Sequence, residues 1–105
     1  MNWRIIWSQF AEDKLDNILN YYVQNAGVSV GKKLLLEIIA APDFLISNPE
    51  AGQIELSLEH FELEYRFIVH RNYKIIYSAD FKNQTIQIAD VFDSRQDPSK
   101  LKRNK

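Results

Sequence analysis

Four basic residues in the C-terminal half carry side chains that could act on a phosphate. Arg66 and Lys74 interrupt otherwise apolar stretches, and Arg95 follows the last such stretch. Guanidinium and ammonium groups on a sheet suit an anion or a scissile phosphate, because they bring charge and hydrogen-bond donors to its oxygens. His70 could donate or accept a proton, since the unperturbed pKa of histidine lies near neutrality. The alternative is that these side chains only contact water or pair with nearby carboxylates, namely Glu62, Glu64, Asp90 and Asp93.

The composition excludes several other kinds of site. The chain has 105 residues, no cysteine, two histidines and three glycines. It therefore has no disulfide, thiol nucleophile or thiolate metal site, and too few histidines and glycines for a histidine metal site or a familiar nucleotide-binding loop. We expect neither a metal nor a cofactor. The net charge of −1 argues against non-specific binding to nucleic acid, although residues 61–105 carry nine basic and six acidic side chains.

A strand and two helices are predicted in the first half of the chain. Residues Trp3–Trp7 are rich in aromatic and β-branched types and predict a strand. Ser8 is a suitable N-cap for an amphipathic helix that ends near Gly27, where a residue without a Cβ atom is favoured. Ser29 is then predicted to cap a second helix, and the short link implies an antiparallel helical hairpin. Pro42 should either kink this second helix or stop it before a restart.

Three strands are predicted in residues 63–70, 73–79 and 85–92, where Ile, Val, Tyr, Phe and Thr dominate. The short links between them contain Asn72 and Asn83, and asparagine tolerates the positive φ that tight hairpins require. The predicted fold class is α+β, with the helical hairpin packed on one face of an antiparallel sheet. We expect one domain, residues 1–105, in which residues 98–105 form a partly ordered basic tail.

The register of the first hairpin decides whether the basic residues can act together. If Arg71 and Asn72 form a two-residue loop, Arg66 and His70 lie on the face opposite to Lys74. If the loop has three residues, all three side chains share one face and can converge on one phosphate. The sequence leaves both registers open.

Several short motifs follow one another along almost the whole chain. A tryptophan-containing strand and a helical hairpin precede an Asn-Pro-x-x-Gly loop at residues 48–52, and Tyr65-Arg66, Tyr73–Tyr77 and Val91–Arg95 come after it. In this order the motifs resemble the RelE/ParE superfamily of toxins from bacterial type II toxin–antitoxin modules. The resemblance implies a small cytoplasmic toxin that is held inactive by a cognate antitoxin.

The resemblance implies two alternative activities. RelE-like members cut messenger RNA on the ribosome without a metal, and the candidate catalytic residues for that reaction are Arg66, His70, Lys74 and Arg95. These members commonly also use a C-terminal tyrosine or histidine, whereas no tyrosine or histidine follows Tyr77 here. ParE-like members instead inhibit DNA gyrase, and this activity is favoured. An inactive relative that serves only as a binding module is the third alternative.

Aromatic residues outside the core are the candidates for antitoxin contacts, because aromatic side chains dominate the centres of protein interfaces. Most of the aromatic residues are needed for the core of a domain without disulfides. The three that we assign to the antitoxin are Tyr21, Tyr22 and Phe44.

Neither a membrane span nor a secretory signal is expected. The longest apolar stretch, residues 34–41, is interrupted by Glu37, and a polar Ser8-Gln9 pair follows soon after the N-terminus. The chain is therefore expected to stay in the cytoplasm.

Overall fold

The computed structural model describes residues 3–95, which form two α-helices, two short 3₁₀ helices and one five-stranded sheet. The predicted tail, residues 98–105, lies outside the described residues. No helix in the described range is long and apolar enough to cross a membrane. The elements are β1 (Arg4–Trp7), α1 (Gln9–Ala26), α2 (Val28–Ala40), a 3₁₀ helix (Ala41–Ile46), β2 (Gln53–Ile54), a second 3₁₀ helix (Leu56–Leu58), β3 (Arg66–His70), β4 (Tyr73–Asp80) and β5 (Thr85–Asp93).

The start of α1 agrees with the sequence prediction. Ser8 has extended backbone angles, and its hydroxyl accepts a hydrogen bond of 3.0 Å from the Ala11 N–H. A side-chain oxygen at this position satisfies one of the N–H groups that a helix leaves unpaired in its first turn. The prediction of Ser8 as the N-cap is confirmed.

The second helix begins two residues earlier than predicted, with Gly27 rather than Ser29 at its N-cap. Gly27 has φ +99° and ends α1 by donating its N–H to the Val23 carbonyl. The same residue begins α2, which has no side-chain cap, and Ser29 lies inside its first turn. The prediction of Ser29 as the cap is therefore wrong, because the positive φ of Gly27 lets the chain reverse without an intervening residue.

Proline decides where α2 ends. The α-helix stops at Ala40, and the chain continues as a 3₁₀ helix with Pro42 in its first turn. Of the two predicted alternatives, the helix stops and restarts rather than kinking. A proline ring clashes with a carbonyl of the preceding α-helical turn, so the change to a tighter helix is the expected response.

The sheet has the strand order β1-β5-β4-β3-β2. Strands β3, β4 and β5 form the predicted antiparallel meander, but β1 pairs with β5 in parallel. The expectation of a wholly antiparallel sheet is wrong at this edge, because the residue pattern of a strand does not encode the direction of its partner. β2 has only two residues, which pair with Arg66 and Phe67 of β3. A strand of two residues is too short to leave a periodic pattern in the sequence.

The hairpin between β3 and β4 has the two-residue loop. Arg66 pairs with Tyr77 and His70 pairs with Tyr73, so Arg71 and Asn72 alone form the turn. The positive φ falls on Arg71, with +55°, rather than on Asn72. Gln84, not Asn83, has the positive φ in the next turn, where the Asn83 N–H instead donates to the Asp80 carboxylate.

The core lies between the helical hairpin and one face of the sheet, as predicted. Tyr77 is at its centre, fully buried, and its hydroxyl donates to the Pro49 carbonyl and accepts from the Gly52 N–H. These two bonds, of 2.8 and 2.9 Å, hold the loop that leads into β2. The other buried apolar residues of this cluster are Ala11, Leu15, Leu34, Ile38, Leu45, Tyr73, Ile75, Ile86, Ile88 and Val91.

The opposite face of the sheet is partly covered by residues 55–65, which we call the acidic strap. It contains four glutamates and several apolar residues. Leu63 and Tyr65 of the strap line a cavity of about 260 Å³ together with Ile6, Ser78 and Gln87 of that face. The Glu55 N–H donates to the Tyr65 carbonyl and closes the strap at its base. The sheet therefore carries helices on one face and an irregular segment on part of the other.

Candidate functional site

A groove of about 380 Å³ runs between α1 and the last residues of β5. We call it the tyrosine groove, because three tyrosines from two different elements meet in it. Two predicted antitoxin contacts and one predicted phosphate ligand line the same concave surface, which is the kind of place where partners bind. Its lining residues are Lys14, Asn17, Ile18, Tyr21, Tyr22, Tyr73, Val91, Phe92, Asp93 and Arg95.

The tyrosines form the apolar wall of the groove. Tyr21 is 60% exposed and packs edge-on against Tyr22, with 5.2 Å between the ring centroids. Tyr73 is 4% exposed, and burial, followed by the neighbouring Tyr22 hydroxyl, raises the pKa of Tyr73 well above its ordinary value. Tyr73 therefore stays neutral throughout the physiological range. Tyr21 is the ring most accessible to a partner.

Arg95 and Asp93 form the polar end of the groove. Arg95 donates from Nη2 to Asp93 Oδ2 over 2.6 Å and from Nε to Oδ1 over 3.0 Å, which is the two-pronged geometry of a strong ion pair. The hydrogen bonds from Arg95 hold the pKa of Asp93 well below its usual range, and Asp93 raises the pKa of Arg95 in turn. The Arg95 side chain remains 70% exposed, so its outer edge is open to a second anion.

Lys14 closes the other end of the groove. Its Nζ lies 2.9 Å from Asp90 Oδ1, and its ammonium lies over the rings of Phe10 and Phe92 at 5.0 and 5.8 Å from their centroids. Sequence analysis missed Lys14, because a lysine on an amphipathic helix is normally a solvated side chain. Its contact with Asp90 joins residues 76 positions apart, and no local pattern signals it.

Arg66 lies on β3, near the edge of the sheet that is farther from the groove. Its side chain bonds to groups of the protein itself. Its Nη1 donates to the carbonyls of Glu50 and Gly52 over 3.1 and 2.8 Å, and its Nη2 lies 3.3 Å from Glu64 Oε1. These bonds fasten the 49–52 loop to β3, next to the bonds that Tyr77 makes. Most of the donors of this guanidinium are directed at the protein itself.

His70 lies at the end of β3 and contacts α2. Its Nε2 is 3.0 Å from Glu37 Oε1, and Arg71 Nε donates to the same oxygen over 2.9 Å. Hydrogen bonds first from His70 and then from Arg71 lower the pKa of Glu37. This three-residue cluster ties the β3–β4 turn to the helical hairpin, so His70 Nε2 already has a partner in the fold.

Lys74 projects from the other face of the sheet. Its Nζ lies 2.5 Å from Glu55 Oε1 of the acidic strap and 4.1 Å from the centroid of the Phe67 ring. Burial alone would raise the pKa of Glu55, but the contacts with Lys74 and Ser57 outweigh it and the pKa is lowered. Lys74 and Arg66 are on different faces, so one phosphate group cannot contact both.

The predicted site residues are therefore divided between several places. Tyr21, Tyr22 and Arg95 come together in the tyrosine groove. Phe44 is 49% exposed on the first 3₁₀ helix and does not line the groove. Each of the four basic residues singled out by sequence has a carboxylate partner within hydrogen-bond reach, and none shares its partner with another of the four.

Comparison with known proteins agrees with this fold. The family model described as the ParE toxin of the type II toxin–antitoxin system parDE matches residues 5–98. The chain belongs to the ParE toxin family. It is similar to a chain of the chromosomal ParDE toxin–antitoxin system from P. aeruginosa, with 20% identity, a TM-score of 0.69 and coverage of 87% of this chain and 95% of that one.

A second solved structure shows that the fold extends to the RelE branch. The isolated E. coli RelE toxin is 14% identical, with a TM-score of 0.51 and coverage of 99% of this chain and 100% of that one. No curated protein matches the sequence. The predicted membership of the RelE/ParE superfamily is confirmed, and membership of the ParE toxin family makes the chain a toxin of a type II toxin–antitoxin system.

Several features of this ParE-family chain were not found from its sequence. Glu37 contacts His70 and Glu55 contacts Lys74, and each of these glutamates lies far from its partner in sequence. Asp93, the partner of Arg95, and Glu64, the partner of Arg66, were among the carboxylates that the sequence offered as alternative partners. Within residues 3–95 no group of three or more His, Asp or Glu side chains is placed to hold a metal ion.

Proposed function

We propose that this ParE-family toxin acts on a protein target, DNA gyrase, in the cytoplasm. The observation that carries the proposal is that the four candidate catalytic residues do not converge on one point. Arg66 and Lys74 lie on opposite faces of the sheet, and each of the four residues contacts a different carboxylate; the four are Arg66, His70, Lys74 and Arg95. Cleavage of RNA needs charge that is aimed at one phosphate before the substrate arrives. Arg66, His70 and Lys74 instead make contacts that join separate segments of the fold.

The cognate antitoxin is the second partner, and we propose that it occupies the tyrosine groove. The Tyr21 ring is exposed and packs edge-on against the ring of Tyr22. Arg95 lines the same groove and adds an exposed cation. Rings next to an arginine are the side chains most often found at the centres of protein interfaces. Phe44, also exposed, would contact a second part of an antitoxin that extends beyond the groove.

Ribosome-dependent cleavage of messenger RNA is the second candidate, and one observation favours it. The outer edge of Arg95 lies beside the rings of the groove, and exposed aromatic rings next to a cation can stack a base and contact its phosphate. Under this alternative Arg95 would stabilise the phosphate, with Arg66, Lys74 and His70 as the other candidate residues.

Induction of the chain in a bacterium separates these functions. Growth, pulse-labelled protein synthesis and chromosomal integrity would be followed in one culture, and the purified chain would be added to a gyrase supercoiling assay. We expect DNA breaks and filamentation while translation initially continues, and loss of supercoiling in vitro. Early arrest of translation with cleaved messages would replace the proposal by the ribonuclease alternative, and normal growth would favour an inactive binding module.

Two variants make the experiment more specific. Arg95→Ala removes the exposed cation of the groove, whereas Lys82→Ala removes an exposed cation from the distant β4–β5 turn. If the ribonuclease alternative holds, Arg95→Ala abolishes cleavage of messages and Lys82→Ala does not. If the gyrase proposal holds, translation stays intact with both variants during the first generation after induction.

A further inference from the structure

The turn between β3 and β4 is bonded on both sides to other parts of the fold. It consists of Arg71 and Asn72, and it follows His70 at the end of β3. On one side it contacts Glu37 of α2, and on the other it contacts Ser94, which follows β5. We call residues 70–72 the turn clasp, because they join two parts of the chain that lie far apart in sequence.

Glu37 holds the α2 side of the turn clasp. Its Oε1 lies 3.0 Å from His70 Nε2 and accepts from Arg71 Nε over 2.9 Å, and its Oε2 accepts from Arg71 Nη2 over 3.3 Å. Arg71 thus contacts both carboxylate oxygens with separate donors, which is the geometry of a strong charged hydrogen bond. The Glu37 side chain is largely buried, so water competes weakly for these bonds.

The Asn72 carbonyl holds the β5 side of the turn clasp. It accepts from the Ser94 N–H over 2.6 Å and from the Ser94 hydroxyl over 2.8 Å. Ser94 stands between Asp93 and Arg95, whose ion pair forms the polar end of the tyrosine groove. Because Ser94 is otherwise exposed, its two bonds to Asn72 direct the chain at the end of β5. The position of Arg95 therefore depends on the position of Asn72.

Two features of Arg71 allow the turn clasp to open. Arg71 has φ +55°, a backbone conformation that costs free energy for a residue with a Cβ atom. Such a conformation persists only where surrounding contacts hold it, so loss of the contact with Glu37 lets the turn relax. The Arg71 side chain is also exposed, and it borders a cavity of about 340 Å³ that Lys33, Glu37 and Asn72 line with it. The guanidinium therefore has room to leave Glu37.

We propose that Glu37, acting through the turn clasp, is a positioning residue for Arg95. While the clasp is closed, α2 holds the turn, the turn holds Ser94, and Arg95 lies at the end of the tyrosine groove. When Arg71 leaves Glu37, the turn relaxes and Arg95 loses its fixed place. A partner that binds the groove gains from a closed clasp, because Arg95 is then ordered before the partner arrives. The inference rests on the proposed role of the groove as a partner site.

NMR of the ¹⁵N-labelled toxin alone tests the turn clasp. Hydrogen exchange at the Ser94 N–H reports local opening, whereas exchange at the Ile75 N–H, in the central strand β4, reports unfolding of the whole sheet. In Glu37→Ala we expect exchange at Ser94 to become about tenfold faster or more, with a smaller change at Ile75. We also expect a lower heteronuclear NOE at Arg95 Nε, because a freed side chain moves faster. An unchanged Ser94 or Arg95 would overturn the proposal, as would acceleration at Ile75 equal to or greater than that at Ser94.

Two further variants separate the contact with Glu37 from turn geometry and from global stability. Arg71→Asn removes the bonds to Glu37 but keeps a residue that tolerates positive φ. We expect it to speed exchange at Ser94 as Glu37→Ala does, and exchange that is unchanged or slower would contradict the clasp. Tyr77→Phe loosens a distant loop and should speed exchange at Ile75 more than at Ser94, whereas equal acceleration would mean that Ser94 reports only global unfolding. Gyrase inhibition is measured separately, so failure of the clasp is distinguishable from failure of the proposed function.

Discussion

At the scale of the residue, Tyr77 shows how a single buried hydroxyl positions a loop. We expect Tyr77→Phe to lower the free energy of unfolding by about 1–3 kcal/mol, because the Gly52 N–H and the Pro49 carbonyl would each lose a partner. Tyr21→Phe is the matched control, since the Tyr21 ring is 60% exposed, and should change stability by less than about 0.5 kcal/mol. Urea unfolding followed by tryptophan fluorescence measures both. Equal effects of the two substitutions would show that the Tyr77 bonds do not contribute.

Glu37 gives a prediction for the dependence of stability on pH. Hydrogen bonds from His70 and Arg71 lower the pKa of Glu37 in the folded chain. A group with a lowered folded pKa stabilises the fold above its unfolded pKa, about 4.3, and this contribution is lost as the pH falls through the folded value. We therefore expect the chain to be more stable than Glu37→Gln at pH 6 and the difference to shrink towards pH 3. A difference that is constant across this range would show that the carboxylate charge is not the cause.

At the scale of the element, the predictable features are those that depend on neighbouring residues. Ser8 caps α1 by a bond to a residue three positions away, and Pro42 ends α2 within one turn. The positive φ of Arg71 was not predictable from residue preference, because the two-residue loop imposes it on whichever residue stands there. The two-residue β2 and the parallel direction of β1 depend on partners far away in the chain, and so leave no local pattern.

The two serines near the helix starts test this distinction. Ser8→Ala removes the acceptor of the Ala11 N–H, and we expect a loss of about 1 kcal/mol in the free energy of unfolding. Ser29→Ala should leave stability unchanged or slightly raised, because Ser29 lies in the first turn of α2 without a capping bond and alanine favours helix. Thermal unfolding monitored by circular dichroism compares them. A similar loss in both variants would mean that Ser29 caps α2 after all.

At the scale of the whole molecule, the fold and the family follow from patterns that run along the chain, whereas the site depends on which residues meet. The α+β class and the toxin family were predicted from element order and motifs. The separation of the four basic residues could not be predicted from the sequence, because the sequence permits two registers of the β3–β4 hairpin. The contact of Lys74 with Glu55 also depends on how distant segments of the chain pack. Tyr21, Tyr22 and Arg95 were chosen for separate reasons, and the packing of α1 against β5 places them in one groove.

One buried cluster joins both helices to β4 and β5, and its continuity predicts that the helices and the sheet unfold together. Ile38 of α2 has no exposed surface and belongs to the same cluster as Tyr77 and Val91. Ile38→Ala should cost about 2–5 kcal/mol through lost burial and the cavity that remains. Because the cluster is continuous, helical circular dichroism, tryptophan fluorescence and calorimetry should all report one transition at the same lowered temperature. Leu36→Ala, on the same helix but at a residue that is 66% exposed, should leave that temperature nearly unchanged. A helical signal lost before the tryptophan signal would instead mean that the hairpin and the sheet unfold as separate units.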